Sequence, residues 1–250
     1  PASAPRAAAR PLIAAPPAPN RPGHLKLLRK RVLLRENPRE TRREDLGEDT
    51  GMTSTNGGSE DLQAIREGVA AVCARFGDDY WGRCDDEATF PRDFHRAMAE
   101  GGWLGVTMPE AYGGAGLGVR AAGTVMHEVA RHGGGMAAAS SIHINMFGPH
   151  PLVVHGTEDQ KSRWIPRLVS GEDQVCFGVT EPDAGLDTTN IKTFATKVDG
   201  GYSITGRKIW TSTAQVANKI LILTRTTRRE DCRKPTEGIT VFYTDLDRSK

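Results

Sequence analysis

The chain has 250 residues, of which 38% are hydrophobic and 26% charged, and its formal net charge at pH 7 is only +2. So small a net charge gives no argument for nucleic acid as a partner. No apolar run approaches the ~20 residues that a membrane span requires. The four cysteines are scattered without a C-x-x-C pair, which argues against zinc and favours free thiols in a reducing compartment. We therefore expect no metal site, no membrane span and no nucleic-acid partner.

Residues 1–57 differ in composition from the rest of the chain. Seven of the fifteen prolines lie in the first 22 positions, and residues 1–50 carry 11 Lys and Arg against 6 Asp and Glu. Such a segment cannot bury enough apolar area to offset its chain entropy, so it is predicted to be disordered. The Pro-rich start and the later acidic residues argue against a transit peptide. A dispensable extension is the favoured interpretation, and a basic tail that binds a partner is the alternative.

Residues 58–172 show the apolar spacing of α-helices. Apolar side chains recur from Ser59 onward at a 3.6-residue period. Thr157 and Gln160 form the signature of a capping box, and Pro166 should kink or split the helix that follows them. Two predicted helices start at Ser59 and at Pro91. Three further helical segments are predicted over residues 121–131, 136–155 and 158–168.

From residue 173 to residue 250 the apolar period changes to two, which is typical of β-strands. Asp199-Gly200 between two alternating runs is a strong signal for a hairpin turn. We therefore predict an α+β fold, with an all-α helical domain over 58–172 followed by an antiparallel β-barrel or sandwich domain over 173–250. The runs that define its strands lie at residues 175–179, 202–204, 220–223 and 239–243.

Two segments of the second half carry residues suited to a flat, phosphate-bearing ligand. They are G-V-T-E-P-D-A-G-L-D over residues 178–187 and G-R-K-I-W-T-S over residues 206–212. The first supplies a hydroxyl and a Gly-containing turn whose N–H groups can meet an anion, and the second supplies Trp210 and two hydroxyl residues. On spacing alone the plainer alternatives are favoured: the first segment is a tight turn after a strand, and Trp210 belongs to the core.

Together the two segments resemble the signatures of the acyl-CoA dehydrogenase family, V-T-E-P-x-A-G-S-D and G-x-K-x-W-I-[ST]. The similarity covers about residues 58–250, and family members continue into a C-terminal four-helix domain that we expect to be absent here. The resemblance implies FAD as cofactor and α,β-desaturation of an acyl-CoA thioester, with hydride transfer to flavin N5. It places the catalytic base, a glutamate, in the C-terminal domain. No catalytic residue is therefore assigned in this chain, and residues 58–250 alone are expected to be inactive.

The resemblance also implies which residues contact the flavin. Phe177 lies beside the ring, Val179 and Thr180 meet its pyrimidine edge, Trp210 flanks it, and the Ser212 hydroxyl lies near N5. Gly185 and Leu186 lie at the pyrophosphate. Two residues depart from the family pattern, since Leu186 replaces a serine and Thr211 an isoleucine, which suggests a divergent subgroup. The full predicted set is Phe177, Val179, Thr180, Gly185, Leu186, Trp210, Thr211 and Ser212.

The same resemblance implies the partners and setting. The substrate is an acyl-CoA, the electron acceptor is an electron-transfer flavoprotein or a similar protein, and the full-length protein forms a homo-oligomer, a tetramer in the family. A role in fatty-acid β-oxidation in the cytoplasm is expected, with the mitochondrial matrix as the alternative compartment. Two other functions stay open: a flavin oxidase or monooxygenase of the same superfamily, and a truncated, catalytically silent assembly subunit.

Overall fold

The structure, a computed structural model, describes residues 25–32 and 59–247; for 25–32, 59 and 60 it describes the backbone alone. A helical half is followed by a sheet half, as predicted. The helices are α1 (Ser59–Cys73), α2 (Asp78–Asp86), α3 (Arg92–Glu100), α4 (Val119–Ala130), α5 (Gly135–Phe147), α6 (His150–His155) and α7 (Glu158–Val169). The strands are β1 (Leu25–Val32), β2 (Val175–Gly178), β3 (Phe194–Val198), β4 (Gly201–Lys208), β5 (Lys219–Arg225) and β6 (Ile239–Asp245).

The helical half encloses one apolar core to which α1, α3, α4 and α5 contribute. The apolar positions of α1 that share one face in the sequence pattern supply Ile65 and Val69, and α3 supplies Phe94, which is fully buried. Phe94 packs edge to face against Trp81 and Phe76, with ring centroids 5.1 and 5.4 Å apart. This arrangement follows from helical periodicity, because residues three and four apart lie on the same side of a helix.

Three features of the helical half differ from the sequence prediction. Helix α2 was not predicted, because it buries no residue completely and so has no apolar stripe. The predicted segment 136–155 is two helices, since the chain breaks at Gly148 and Pro149. Helix α7 begins with the expected capping box and continues through Pro166 to Val169, so it is not split, although the proline supplies no N–H to the hydrogen-bond ladder.

The sheet is mixed, so the prediction of an antiparallel domain is wrong in this respect. The β3–β4 hairpin at Asp199-Gly200 is antiparallel as expected, and so are the β1–β4 and β5–β6 pairs. However, β2 pairs with β5 in parallel, and β3 adds a single parallel bridge from Phe194 to Arg225. The long connection between β2 and β5 permits a parallel pair, and strand alternation carries no information about direction.

Strand β1 lies within the segment predicted to be disordered, so that prediction is wrong for residues 25–32. These residues pair antiparallel with β4, with a register shift between Leu27 and Lys30. The other edge of β4 pairs with β3, and β1 thus completes its ladder. β1 adds to an edge of β4 that would otherwise be unpaired. The net charge and proline content of a segment carry no information about such an edge elsewhere in the chain. The rest of the predicted extension, residues 1–24 and 33–57, lies outside the described residues.

The two halves meet at a packed junction that fixes the position of β2. Leu168 of α7, Val175 of β2 and Tyr243 of β6 share one apolar cluster. Beneath it Asp173 is fully buried and accepts hydrogen bonds from Arg167 at 3.0 Å and from the Tyr243 hydroxyl at 3.2 Å. Asn145 of α5 also donates to the Asp173 carbonyl at 2.8 Å. The start of β2 is therefore held by both halves.

Candidate functional site

The site is built along the free edge of β2. One edge of β2 pairs with β5, and the loop that leaves β4 runs beside the other. The Ile209 N–H donates to the Thr180 carbonyl at 2.9 Å, and the Thr213 hydroxyl donates to the Val175 carbonyl at 3.1 Å. These two hydrogen bonds bring residues 175–180 and 209–213 together. Six of the eight predicted contact residues lie in these two segments.

Trp210 is not a core residue, which removes the plainer alternative for this side chain. It is 69% exposed. Its φ of +56° lies in the left-handed region, which a bulky side chain adopts only at a cost of about 1–3 kcal/mol. Thr213, three residues on, has φ +61°. An exposed tryptophan on a strained backbone suits a ligand that stacks on the indole.

Thr211 and Ser212 line a cleft of about 440 Å³ between the two halves. Helix α5 forms the opposite wall with Ser140 and Ser141. Ser212 is exposed, whereas Thr211 is half-buried and its Oγ1 is buried without a hydrogen-bond partner. The cleft wall is thus rich in hydroxyl groups, and residues 88–91, the loop that leads into α3, also line it.

The residues of β2 and its exit are placed as follows. Phe177 is half-buried against the apolar cluster at the junction of the two halves. The Val179 carbonyl accepts a hydrogen bond from Lys208 at 2.9 Å, and the Thr180 carbonyl accepts the one from Ile209. Both carbonyls are therefore committed within the protein. The Thr180 hydroxyl makes no hydrogen bond to the described residues and is the group left for a ligand.

Gly185 and Leu186 lie beyond a tight turn, which Glu181 and Ala184 close with two backbone hydrogen bonds of 3.0 and 3.2 Å. Gly185 lies outside the left-handed region, so its φ does not require a glycine. A Cβ at this position would also meet no protein atom within 4 Å. Leu186 is fully exposed. Among the described residues no acceptor takes the N–H of either residue.

Sequence reasoning missed a buried ion pair between the two segments. Lys208 is fully buried and its Nζ lies 2.8 Å from Oε1 of Glu181, itself only 5% exposed. Burial lowers the pKa of Lys208, and the nearby carboxylate opposes this. Burial alone would raise the pKa of Glu181, but hydrogen bonds from the Lys192 backbone, Lys208 and Thr193 bring it below its usual value. The first motif contains three acidic residues and the second two basic ones, but nothing in the sequence shows that Glu181 is the residue that meets Lys208.

Comparison with known proteins identifies the family. Residues 59–172 match the family model described as "Acyl-CoA dehydrogenase, N-terminal domain", and residues 176–250 match "Acyl-CoA dehydrogenase, middle domain". The chain belongs to the acyl-CoA dehydrogenase family. The isovaleryl-CoA dehydrogenase of Arabidopsis thaliana, a mitochondrial protein, is 36% identical over 162 residues, which are 64% of this chain and 38% of that protein. The chain thus spans about two fifths of the length of this relative.

Solved structures of acyl-CoA dehydrogenases and related proteins share the fold. A glutaryl-coenzyme A dehydrogenase in complex with glutaryl-CoA superposes with a TM-score of 0.66 at 27% identity, covering 75% of this chain and 47% of that one. An FAD complex of PigA superposes with a TM-score of 0.68, covering 75% and 48%, and at 20% identity it shows the fold alone. The mixed, curled sheet after a helical domain is therefore a fold that the chain shares with an acyl-CoA dehydrogenase of known structure.

The residues of the candidate site fit FAD in three respects. An exposed indole, the free N–H groups of Gly185 and Leu186, and the Thr180 and Ser212 hydroxyls offer an aromatic face, an anion site and hydrogen bonds. A Cβ-free, open position at Gly185 leaves room for close approach. Within residues 59–247 no group of three or more metal-ligating side chains is found, and no helix has the length and apolar character to cross a membrane.

Proposed function

We propose that the chain is the helical and middle-sheet part of an FAD-dependent acyl-CoA dehydrogenase, which desaturates an acyl-CoA thioester between its α and β carbons. One observation carries the proposal. Trp210 is exposed on a left-handed backbone beside the free edge of β2. Backbone strain of this kind is concentrated at ligand sites, where it fixes the side chain that meets the ligand. Family membership makes the isoalloxazine ring of FAD the natural occupant.

Each residue of the proposed site has one task. The N–H groups at Gly185 and Leu186 bind the pyrophosphate as an anion. Trp210 flanks the ring, and Phe177 lies beside the ring on the side of β2. The Thr180 and Ser212 hydroxyls form hydrogen bonds to its polar edge. When bound, FAD supplies an acceptor for two electrons.

The cleft beside Thr211 and Ser212 is the proposed location of the acyl thioester. It adjoins Trp210 in the chain and opens between the two halves. Its lining carries no Lys or Arg, so it does not favour an acyl group that ends in a carboxylate. The protein contributes by holding the reacting carbon close to the ring and in line with it, since alignment accounts for much of the rate gain in such reactions.

The remaining features of the proposal come from the family. We propose an electron-transfer flavoprotein or similar protein as the acceptor, a homo-oligomer as the assembled state, and a cytoplasmic or mitochondrial-matrix setting. The catalytic base is proposed to lie outside residues 59–247, because no carboxylate here matches the family's glutamate. These statements concern the whole protein, of which this chain covers only part of the length seen in relatives.

The experiment uses protein expressed from the complete reading frame. Visible absorbance after purification measures the flavin bound per chain, and anaerobic addition of an acyl-CoA series measures flavin bleaching. We expect bound FAD and bleaching by at least one member of the series. Protein that holds no flavin even after reconstitution with excess FAD would contradict the cofactor proposal. Protein that holds FAD but bleaches with no acyl-CoA would contradict the reaction alone.

A further inference from the structure

The Glu181–Lys208 pair is the most buried charge cluster in the sheet half. Lys208 reaches across β2, where Gly178 leaves room: a Cβ at that glycine would lie 3.3 Å from Lys208 Cγ. The ammonium then donates to Glu181 at 2.8 Å and to the Val179 carbonyl at 2.9 Å. Both acceptors belong to the exit of β2. Lys208 itself is the last residue of β4.

Glu181 ties a third segment to the same point. Its carboxylate accepts the backbone N–H of Lys192 at 2.5 Å and that of Thr193 at 2.9 Å, just before β3 begins. With Lys208, three strand ends converge on one carboxylate. The exit of β2, the entry to β3 and the exit of β4 are therefore fixed relative to one another.

The pair adjoins the strained part of the chain. Ile209 follows Lys208 and bonds to Thr180, and the left-handed turn at Trp210 comes next. Besides Trp210 and Thr213, the described residues contain a single other non-glycine residue with positive φ, Ala88. A strained backbone persists only where its surroundings over-determine it. The buried pair supplies such an anchor two residues before the strain.

Stability alone does not account for a buried pair. Removing two charges from water costs as much as their attraction returns, so apolar residues of similar size stabilise a fold equally well or better. The pair instead fixes the relative positions of the three strand ends, because its hydrogen bonds join all three. Glu181 and Lys208 also carry opposite charges, so the cluster adds no net charge beneath the site.

We propose that Glu181 and Lys208 act as positioning residues, which hold the two loops of the flavin site at the separation that stacks Trp210 on the ring. This inference rests on the proposed function. Neither side chain touches the cofactor. Their effect passes through the Val179 carbonyl, the Ile209–Thr180 hydrogen bond and the backbone at Trp210.

The test uses two variants of the protein from the complete reading frame. Lys208→Met removes the link between the loops while the two backbone N–H groups still satisfy Glu181. Adding Glu181→Gln to it removes the unpaired charge, which should restore most of any lost stability. Glu128→Gln is the matched control, because Glu128 is an equally buried, ion-paired carboxylate in the helical half.

Two quantities are measured for each variant that unfolds cooperatively on heating. One is the FAD dissociation constant, and the other is the FAD-induced quenching of Trp210 emission, obtained by subtracting the signal of a Trp210→Phe counterpart. We expect both pair variants to bind FAD at least about tenfold more weakly and to lose the quenching, as a displaced site does. Glu128→Gln should keep the affinity and the quenching of the parent even where its melting temperature falls.

The outcomes separate this inference from the proposed function. A folded pair variant with the parent's FAD affinity and quenching overturns the positioning role and leaves the proposed function intact. If neither pair variant folds while Glu128→Gln does, the pair is a folding element and the inference is likewise rejected. A parent protein that binds no FAD rejects the proposed function and this inference with it.

Discussion

The helical half and the sheet half bury polar groups in different ways. In the helical half Glu128 bonds to Arg131 and His132, just past the end of its own helix, and the Ser141 hydroxyl donates to the Ala138 carbonyl one turn before it. In the sheet half Glu181, Lys208 and Arg225 are buried and bond across separate segments. Two of the three described non-glycine residues with positive φ also lie there. The helical half is thus organised by packing, while the sheet half uses buried charge to shape its loops.

The largest expected effect contrasts Phe94 with Trp210. Phe94→Ala should lower the free energy of unfolding by about 3–5 kcal/mol, because it empties a fully buried aromatic site. Trp210→Ala should change it by only about 0.5 kcal/mol, because the side chain is exposed. Flavin content per folded chain should behave in the opposite way and fall only in Trp210→Ala. Chemical denaturation and flavin absorbance measure the two quantities. Equal flavin content in both variants would remove Trp210 from the site.

The second prediction concerns pH and the helical half. Burial, with a smaller contribution from Arg92, lowers the pKa of His95 to about 4. Below about pH 6.5 the His95 side chain of the unfolded chain binds a proton, whereas that of the folded chain stays neutral until the pH approaches 4. The free energy of unfolding therefore has its full value above about pH 6.5 and falls as the pH drops toward 4. The loss is on the order of 3 kcal/mol. Buried Nε2, which has no hydrogen-bond partner, is consistent with a neutral ring.

Replacing His95 isolates its contribution. His95→Gln should flatten the dependence of unfolding free energy on pH between 4 and about 6.5. The control is His127→Gln, at an exposed position of α4, which should keep the parent's slope. Identical slopes in all three proteins would show that His95 does not carry the acid sensitivity of the helical half.

A third prediction separates fold from cofactor at Gly185. Because a Cβ there meets no protein atom and φ is not left-handed, Gly185→Ala should leave the melting temperature unchanged. If the backbone closely approaches the pyrophosphate, the added methyl should weaken FAD binding, and Gly185→Val should weaken it further. Titration of apoprotein with FAD measures both affinities. Unaltered affinity in the folded valine variant would place the pyrophosphate elsewhere.

The smallest effect is expected at Leu186. Its side chain is fully exposed, so Leu186→Ser should change stability by no more than about 0.5 kcal/mol. If the phosphate is bound by backbone N–H groups, the serine adds at most one neutral hydrogen bond, worth about 0.5–1.5 kcal/mol, or up to roughly tenfold in FAD affinity. A loss of FAD binding in this variant would show that the leucine side chain itself contacts the ligand.

Local patterns were sufficient for much of the fold. The capping box at Thr157 and the hairpin at Asp199-Gly200 are short-range signals, and both predictions are confirmed because their hydrogen bonds close within a few residues. Helix α2 escaped prediction because it lies on the surface without an apolar stripe. Strand β1 did so because its partner edge lies in β4, about 170 residues along the chain.

The sequence by itself determined the family, the order of a helical half before a sheet half, and the two loops of the candidate site. These properties follow from the period of the apolar residues and from motifs that are contiguous in the sequence. Only the tertiary structure decided that the sheet is mixed, that Trp210 is exposed rather than buried, that Gly185 has an ordinary backbone, and that Glu181 meets Lys208. Each of these depends on which distant segments become neighbours. That choice follows from packing and hydrogen bonding summed over the whole fold, which no local run of residues encodes.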